Sequence, residues 1–216
     1  MAADKSLVRD QAYSRGSVKS IERHNERKNK NYSNVDVVLE QSVNNVHFKT
    51  PPKSYAKTFD GMIERGEIST KGLKKDNPNI MGELLFDINT SYFERNGGYE
   101  YAKRFYEEAY NFAVKLVGDE RYILSAVMHA DERNKAVSDE LKKDVYHYHL
   151  HVVYIPVREK KVYFSKRSAD KAGQLKEVIN QVSHSNMWES AKGVDEQGRK
   201  TFQYSYSKLQ DDFLSI

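Results

Sequence analysis

The chain of 216 residues has no cysteine, 35 Lys/Arg against 31 Asp/Glu for a net charge of +4, and a mean hydropathy of −0.81. The lack of cysteine excludes a disulfide framework, a cysteine–zinc site and a thiol nucleophile, and it accords with a reducing cytoplasm. No apolar run approaches the roughly 20 residues of a membrane span, and the opening MAADKSLVRDQAYSRG has no apolar signal region.

With 15 Tyr, 9 Phe and many aliphatic residues there is material for one core, so the expectation is a single domain over 1–216. Residues 1–34 form a basic segment expected to be mobile. Its first 30 residues hold eight Lys/Arg against four Asp/Glu, an excess equal to that of the whole chain. Such a start favours a polyanionic partner.

The β-branched VDVVLEQS (35–42) predicts a strand, and 43–81, with three of the four prolines, predicts loops around a short helix near 54–66. GELLFDI (82–88) is strand-like. Residues 97–118 form the clearest helix, with Tyr101, Phe105, Ala109, Phe112 and Leu116 as its apolar stripe. RYILSAVMH (121–129) predicts a strand ending on a histidine, and YHYHLHVVYIPV (146–157) a long one. A short strand at 162–165, an amphipathic helix over 169–189, and a loop with a final strand complete the chain. This pattern predicts an α+β fold: a central antiparallel β-sheet carrying an HxH strand, with helices packed on it.

Four of the seven histidines lie between 129 and 151. Strand alternation sends His147, His149 and His151 to one face, with Tyr148, Leu150 and Val152 facing the other. If the preceding strand is the antiparallel neighbour, His129 joins them. Imidazoles fixed by two adjacent strands suit a divalent cation, and Asp131 and Glu132 follow immediately. His47 and His184 are isolated and read as structural or surface residues.

The sequence His129-Ala-Asp131-Glu132, then His149-Leu-His151, then Val-Val-Tyr-Ile-Pro156, resembles the HxDE…HxH…VP pattern of the MobV-type (Mob/Pre) relaxases, plasmid mobilisation proteins of the HUH endonuclease superfamily. His24-Asn25-Glu26-Arg27 is similar to that family's HNxR start, and Lys74-Lys75-Asp76 to its basic pair before a strand. The likeness covers residues 20 to about 156.

Two features depart from it. Residues Arg133–Tyr148 separate the two motifs without a proline, so 133–145 reads as a β-hairpin tip or loop insertion near the DNA groove. His147 is extra, leaving 147/149 as an alternative to 149/151. The family's long C-terminal coiled-coil region, through which full-length relatives would dimerise, has no counterpart in this sequence. A compact member or the catalytic part of a longer protein is therefore expected.

The resemblance implies a relaxase, a metal-dependent, site- and strand-specific DNA nickase acting at an origin of transfer. It would form a covalent 5′-phosphate–protein intermediate and rejoin the strand, in the cytoplasm of a bacterium, for plasmid mobilisation. His129, His149 and His151 would hold the metal. By ligand type three imidazoles suit zinc, whereas the resemblance favours Mn2+, with Mg2+ as the alternative. His24 would be the nucleophile, with Tyr13 and Tyr32 as fallbacks, Glu132 would orient or deprotonate it, and Arg27 would clamp phosphate.

Single-stranded or hairpin origin DNA would lie along Arg15, Lys19, Arg23, Lys28, Lys30, Lys74 and Lys75. A replication initiator with the same core, or a non-catalytic DNA-binding protein with a structural metal, are the competing readings.

Overall fold

The computed structural model describes residues 6–76, 78–194 and 196–215. Its centre is a five-stranded sheet of β1 (Ser6–Ser14), β2 (Val46–Lys49), β3 (Asn79–Ile88), β4 (Ile123–Arg133) and β5 (Tyr146–Tyr154). The strands run in the order β1-β3-β5-β4-β2, every neighbouring pair antiparallel. This is the expected α+β architecture.

The three central strands are apolar on one face, through Leu84, Phe86, Met128, Leu150 and Val152, all buried. Against it pack α3 (Thr90–Asn96), α4 (Gly98–Val117) and α7 (Ser205–Phe213). The Phe86 ring lies 5.1 Å from that of Phe213, and the Tyr106 hydroxyl donates to the Tyr148 carbonyl at 2.7 Å. On β3, Gly82 is required by close approach: a Cβ there would fall 2.3 Å from the Tyr154 ring.

The other face carries polar residues and lies under α1 (Val18–Asn25) and α2 (Tyr55–Glu64). Glu26, at the end of α1, ties that helix down by accepting from the Tyr55 and Ser125 hydroxyls, each at 2.7 Å.

Several expectations are corrected. Residues 6–14 of the basic N-terminal segment form an edge strand paired with β3. VDVVLEQS is not a strand: Leu39–Asn44 coil into a 3-10 helix, and the segment is stitched to the end of β4 by Val38 N–H to the Asp131 carbonyl and Arg133 N–H to the Asp36 carbonyl. The strand beside β4 is β2 instead. The buried stripe of α4 falls mainly one residue later than expected, on Ala102, Tyr106, Ala109, Ala113 and Val117.

The 133–145 insertion connects the paired strands β4 and β5, as a hairpin connection would, but it holds a helix, α5 (Lys135–Leu141), capped by the Asn134 side chain on the Val137 amide. The helix expected over 169–189 is replaced by β7 (Leu175–Val182), which pairs with β6 (Val157–Tyr163), and a single turn, α6 (His184–Met187). Beyond it, β8 (Ala191–Val194) and β9 (Lys200–Gln203) form a small hairpin, and α7 stands where a terminal strand end was expected.

Candidate metal centre and active site

Two strand periodicities build the site. On β5, His147, His149 and His151 face α1. On β4, register sets His129 opposite His149 and Val127 opposite His151. A bulge then lets three residues of β4 span two of β5, bringing Glu132 opposite His147 and onto the histidine face. The ring centres of His129, His149 and His151 stand 4.7–5.1 Å apart.

The partners of these rings define which nitrogens are free. His129 Nε2 lies 2.9 Å from the Asn25 carbonyl, which only accepts, so Nε2 carries the proton and Nδ1 presents a lone pair. His151 Nδ1 lies 2.9 Å from Glu83, which likewise leaves Nε2 with a lone pair, buried and without a partner. His149 Nε2 approaches His129 Nδ1 at 3.3 Å. Lone pairs crowded together in a buried place, two of them backed by a carbonyl or carboxylate on the far side of the ring while His149 Nδ1 is buried without a hydrogen-bond partner, form a donor set that fits a divalent cation.

Two overlapping groups have candidate donor atoms within 4.8 Å of one another: His24, His129 and His151, and His129, Glu132 and His149. Burial, reinforced by the charge of His151, holds His129 and His149 well below the ordinary imidazole range, so both stay neutral. Burial pushes the Glu83 carboxyl up, but His151, Asn25 and Tyr13 together outweigh it and hold it below the usual carboxylate range. His147 is committed elsewhere, to Asp87 at 3.1 Å and Thr90 at 3.0 Å, and stacks on the outer side of His149.

Helix α1 lays His24 over the cluster, half-buried, with its ring centre 5.9 Å from His129 and 5.7 Å from His151. Burial lowers its pKa, helped by the charges of His151 and Arg27. Arg27, just past the helix, has a left-handed backbone (φ 47°) and a buried guanidinium. Its fork is engaged by Asp131, Nε at 2.8 Å and Nη2 at 2.6 Å, and Nη2 also reaches Glu132 at 2.9 Å. Nη1 is buried without a partner. Glu132 also accepts from Asn34 at 3.0 Å and stands 3.7 Å from His149; among the described residues no hydrogen bond joins it to His24.

Of the two tyrosines, Tyr13 donates to Glu83 at 2.9 Å and is raised far above its ordinary pKa, first by burial and then by that carboxylate. Tyr32 packs edge-on to His24, under the Arg27 guanidinium.

The proposed DNA contacts are dispersed. Arg15 is paired bidentately with Asp60 on the surface. Lys19 and Arg23 border an open depression on α1, where Arg23 donates to Asn29. Lys28 pairs with Glu22. Lys30 and Lys75 are exposed, and Lys74 lines a cleft together with Lys160, Gln181 and His184. His47 pairs with Glu26 and His184 with Asp10, away from the cluster. Sequence reasoning missed Glu83, Asn25 and Asp87. The alternation of Glu83 and Asp87 in GELLFDI was the signal available for two of them.

A family model described as plasmid recombination enzyme (Mob_Pre) matches residues 2–209. The chain belongs to this family. Among curated relatives, the plasmid recombination enzyme of a Bacillus species is 27% identical over 158 residues, 73% of this chain and 34% of the relative. Plasmid recombination enzyme type 2 of Staphylococcus aureus strain Mu50 is 26% identical over the same shares. The chain thus spans about a third of the length of these Mob_Pre relatives.

Two solved structures share its fold. A Mn-bound MobM relaxase domain (MOBV; Mob_Pre) in complex with plasmid pMV158 oriT DNA, at pH 6.8, matches with a TM-score of 0.60 at 21% identity, over 85% of this chain and 76% of that one. The same domain bound to a 26-nucleotide oriT DNA matches with a TM-score of 0.54 at 18% identity, over 97% and 85%. Among the described residues no helix is long and apolar enough to cross a membrane.

Proposed function

We propose that this chain is the DNA-nicking relaxase domain of a cytoplasmic plasmid mobilisation protein. It would cut and rejoin one strand at an origin of transfer through a covalent protein–DNA intermediate. The observation that carries this reading is the set of inward lone pairs on His129 Nδ1 and His151 Nε2, fixed by Asn25 and Glu83 beside His149 Nε2, directly beneath His24. Membership of a plasmid recombination family favours mobilisation over replication initiation.

His129, His149 and His151 would hold a divalent cation, and manganese is favoured because the MobM domains of the same family are Mn-bound. When bound, such an ion supplies positive charge to the non-bridging oxygens of the scissile phosphate. The remaining work belongs to the chain's own residues. His24, on a helix anchored through Glu26, would present an imidazole nitrogen to the phosphorus; the P–N bond forms as the P–O3′ bond breaks, and the 3′ oxygen leaves as a hydroxyl by taking a proton from solvent water. Glu132, bonded to Arg27 and Asn34 and not to His24, would favour positive charge on the His24 ring through the field of its carboxylate. Arg27 spends its fork on Asp131 and Glu132, so Nη1 is the atom left to donate to phosphate.

The test is incubation with single-stranded origin oligonucleotides, with and without Mn2+, followed by trapping of the adduct. A phosphoramidate from His24 is labile in mild acid, whereas a tyrosyl ester survives. Metal-dependent cleavage with an acid-labile adduct, absent in His24→Ala, is the expected result. An adduct that persists in acid or forms in His24→Ala moves the nucleophile to Tyr13 or Tyr32.

A further inference from the structure

Neither ring nitrogen of His24 makes a hydrogen bond among the described residues; its ring meets those of Tyr32, His129 and His151 edge-on instead. The isolated histidines behave otherwise, His47 and His184 each being paired with a carboxylate. A donor atom of His24 lies within 4.8 Å of donor atoms on both His129 and His151. An imidazole nitrogen binds a transition-metal ion at about 2.1 Å, so two on one ion are at most about 4.2 Å apart. The three rings therefore need to close by about 0.6 Å at most to share an ion.

The backbone on both sides holds His24 in this place. Glu22 accepts from the Tyr55 amide at 3.0 Å, and Asn25 donates to Glu83 at 2.7 Å while its carbonyl faces His129 Nε2 at 2.9 Å. Glu26 is fixed by Tyr55 and Ser125. Side-chain torsions are what remain free to His24, and its half-buried ring is open on the outward side.

We infer that in the DNA-free protein His24 is itself a ligand of the cation, and that a non-bridging oxygen of the scissile phosphate displaces it. The inference rests on the reading of His129, His149 and His151 as a metal centre with His24 as the nucleophile. Three imidazoles leave a coordination position open, and His24 fills it while no phosphate is present. A lone pair shared with a cation cannot attack phosphorus, so the nucleophile is inert until DNA arrives. The exchange balances: one neutral nitrogen leaves the ion as one phosphate oxygen joins it, no proton moves, and the freed lone pair is left beside the phosphorus. Only a strand seated firmly enough to deliver its phosphate releases His24, which selects against loosely held phosphodiesters.

The experiment loads the full chain with one equivalent of Mn2+ and counts coordinated imidazole nitrogens by pulsed electron paramagnetic resonance. An uncleavable origin oligonucleotide, with a methylene group in place of the bridging 3′ oxygen, supplies the phosphate. Without DNA, the wild type is expected to show nitrogens from His24, His129, His149 and His151, and His24→Ala one imidazole fewer. Calorimetric titration should find Mn2+ affinity lower in His24→Ala by on the order of tenfold or more, at least the loss typical of a residue that only supports a ligand. The oligonucleotide should remove one imidazole from the wild-type count and none from that of His24→Ala. The wild-type comparison needs no variant, so it stands even if His24→Ala folds poorly. Equal counts and affinities in the two DNA-free proteins overturn the inference. A wild-type count that DNA leaves unchanged also overturns it, because His24 is then not released. A Mn2+ signal that His149→Ala leaves unaltered overturns the metal centre itself, so the two failures are told apart.

Discussion

Replacing Glu83 with glutamine tests the metal centre without touching a proposed ligand. The carboxylate is buried and accepts three hydrogen bonds, from Asn25 at 2.7 Å, His151 at 2.9 Å and Tyr13 at 2.9 Å. Asn25 and His151 share one oxygen, so the amide oxygen of glutamine can keep both, while the Tyr13 hydroxyl turns to accept from the new NH2 group. The volume is conserved and the charge is lost. Charge-assisted bonds become neutral ones, a difference of about 1 kcal/mol each, partly offset because a carboxylate no longer has to be buried. The net destabilisation should be about 1–2 kcal/mol. Glu83→Ala strands the buried Asn25 and His151 donors, and should cost about 2–6 kcal/mol.

The larger effect of Glu83→Gln falls on the metal. Without its carboxylate partner the His151 ring is less basic and less firmly oriented, which typically weakens metal binding 10–100-fold. Calorimetric titration with Mn2+ reads the affinity, and thermal unfolding in excess chelator reads stability apart from metal linkage. Glu83→Gln binding Mn2+ as tightly as the wild type would refute the assignment of Nε2 of His151 as a ligand backed by Glu83.

How far the sequence carries depends on which physical signal each element uses. The histidine strand was legible because a period of two is local: nothing beyond residues 146–157 decides which side His149 and His151 face. The pairing of His129 with His149 was not local, since α5 intervenes, and the bulge that brings Glu132 onto the site face leaves no mark in composition. Asn25 supports His129 through a backbone carbonyl, which every residue possesses.

Edge strand β1 was hidden by charge: Arg9, Asp10 and Gln11 look like a solvated arm, yet edge strands commonly carry such residues because pairing on the open side is disfavoured. In β7, Val178 and Val182 are spaced to fit both a helical and an extended period, so only the partner β6 decides. Strand and helix propensities in 35–42 were overruled by tertiary bonds to β4.

Alanine at His129, His149 or His151 should abolish metal-dependent cleavage while leaving a folded chain, whereas His147→Ala, whose ring is held by Asp87 and Thr90, should retain most activity in the same gel assay. An inactive His147→Ala beside an active His151→Ala would shift the ligand pair by two residues. Arg27 offers a comparison in which side-chain and backbone effects separate. Its guanidinium neutralises the fully buried Asp131, whose carboxylate, among the described residues, keeps Ser42 at 2.6 Å and Asn45 at 2.9 Å when the fork is removed. Breaking such a buried pair costs about 3–5 kcal/mol, so Arg27→Ala should be strongly destabilised in chemical denaturation. Arg27→Lys restores a charge but not two parallel bonds, and should fall between wild type and alanine. Arg27→Gly loses the same ion pair as alanine, yet the backbone at this position has φ 47°, a conformation that costs a residue with a Cβ about 1–2 kcal/mol and glycine almost nothing. The expected order of stability is therefore wild type, lysine, glycine, alanine. Alanine more stable than glycine would show that the left-handed turn after α1 is not maintained in solution, and alanine equal to wild type would show that Asp131 does not depend on the arginine for its charge balance.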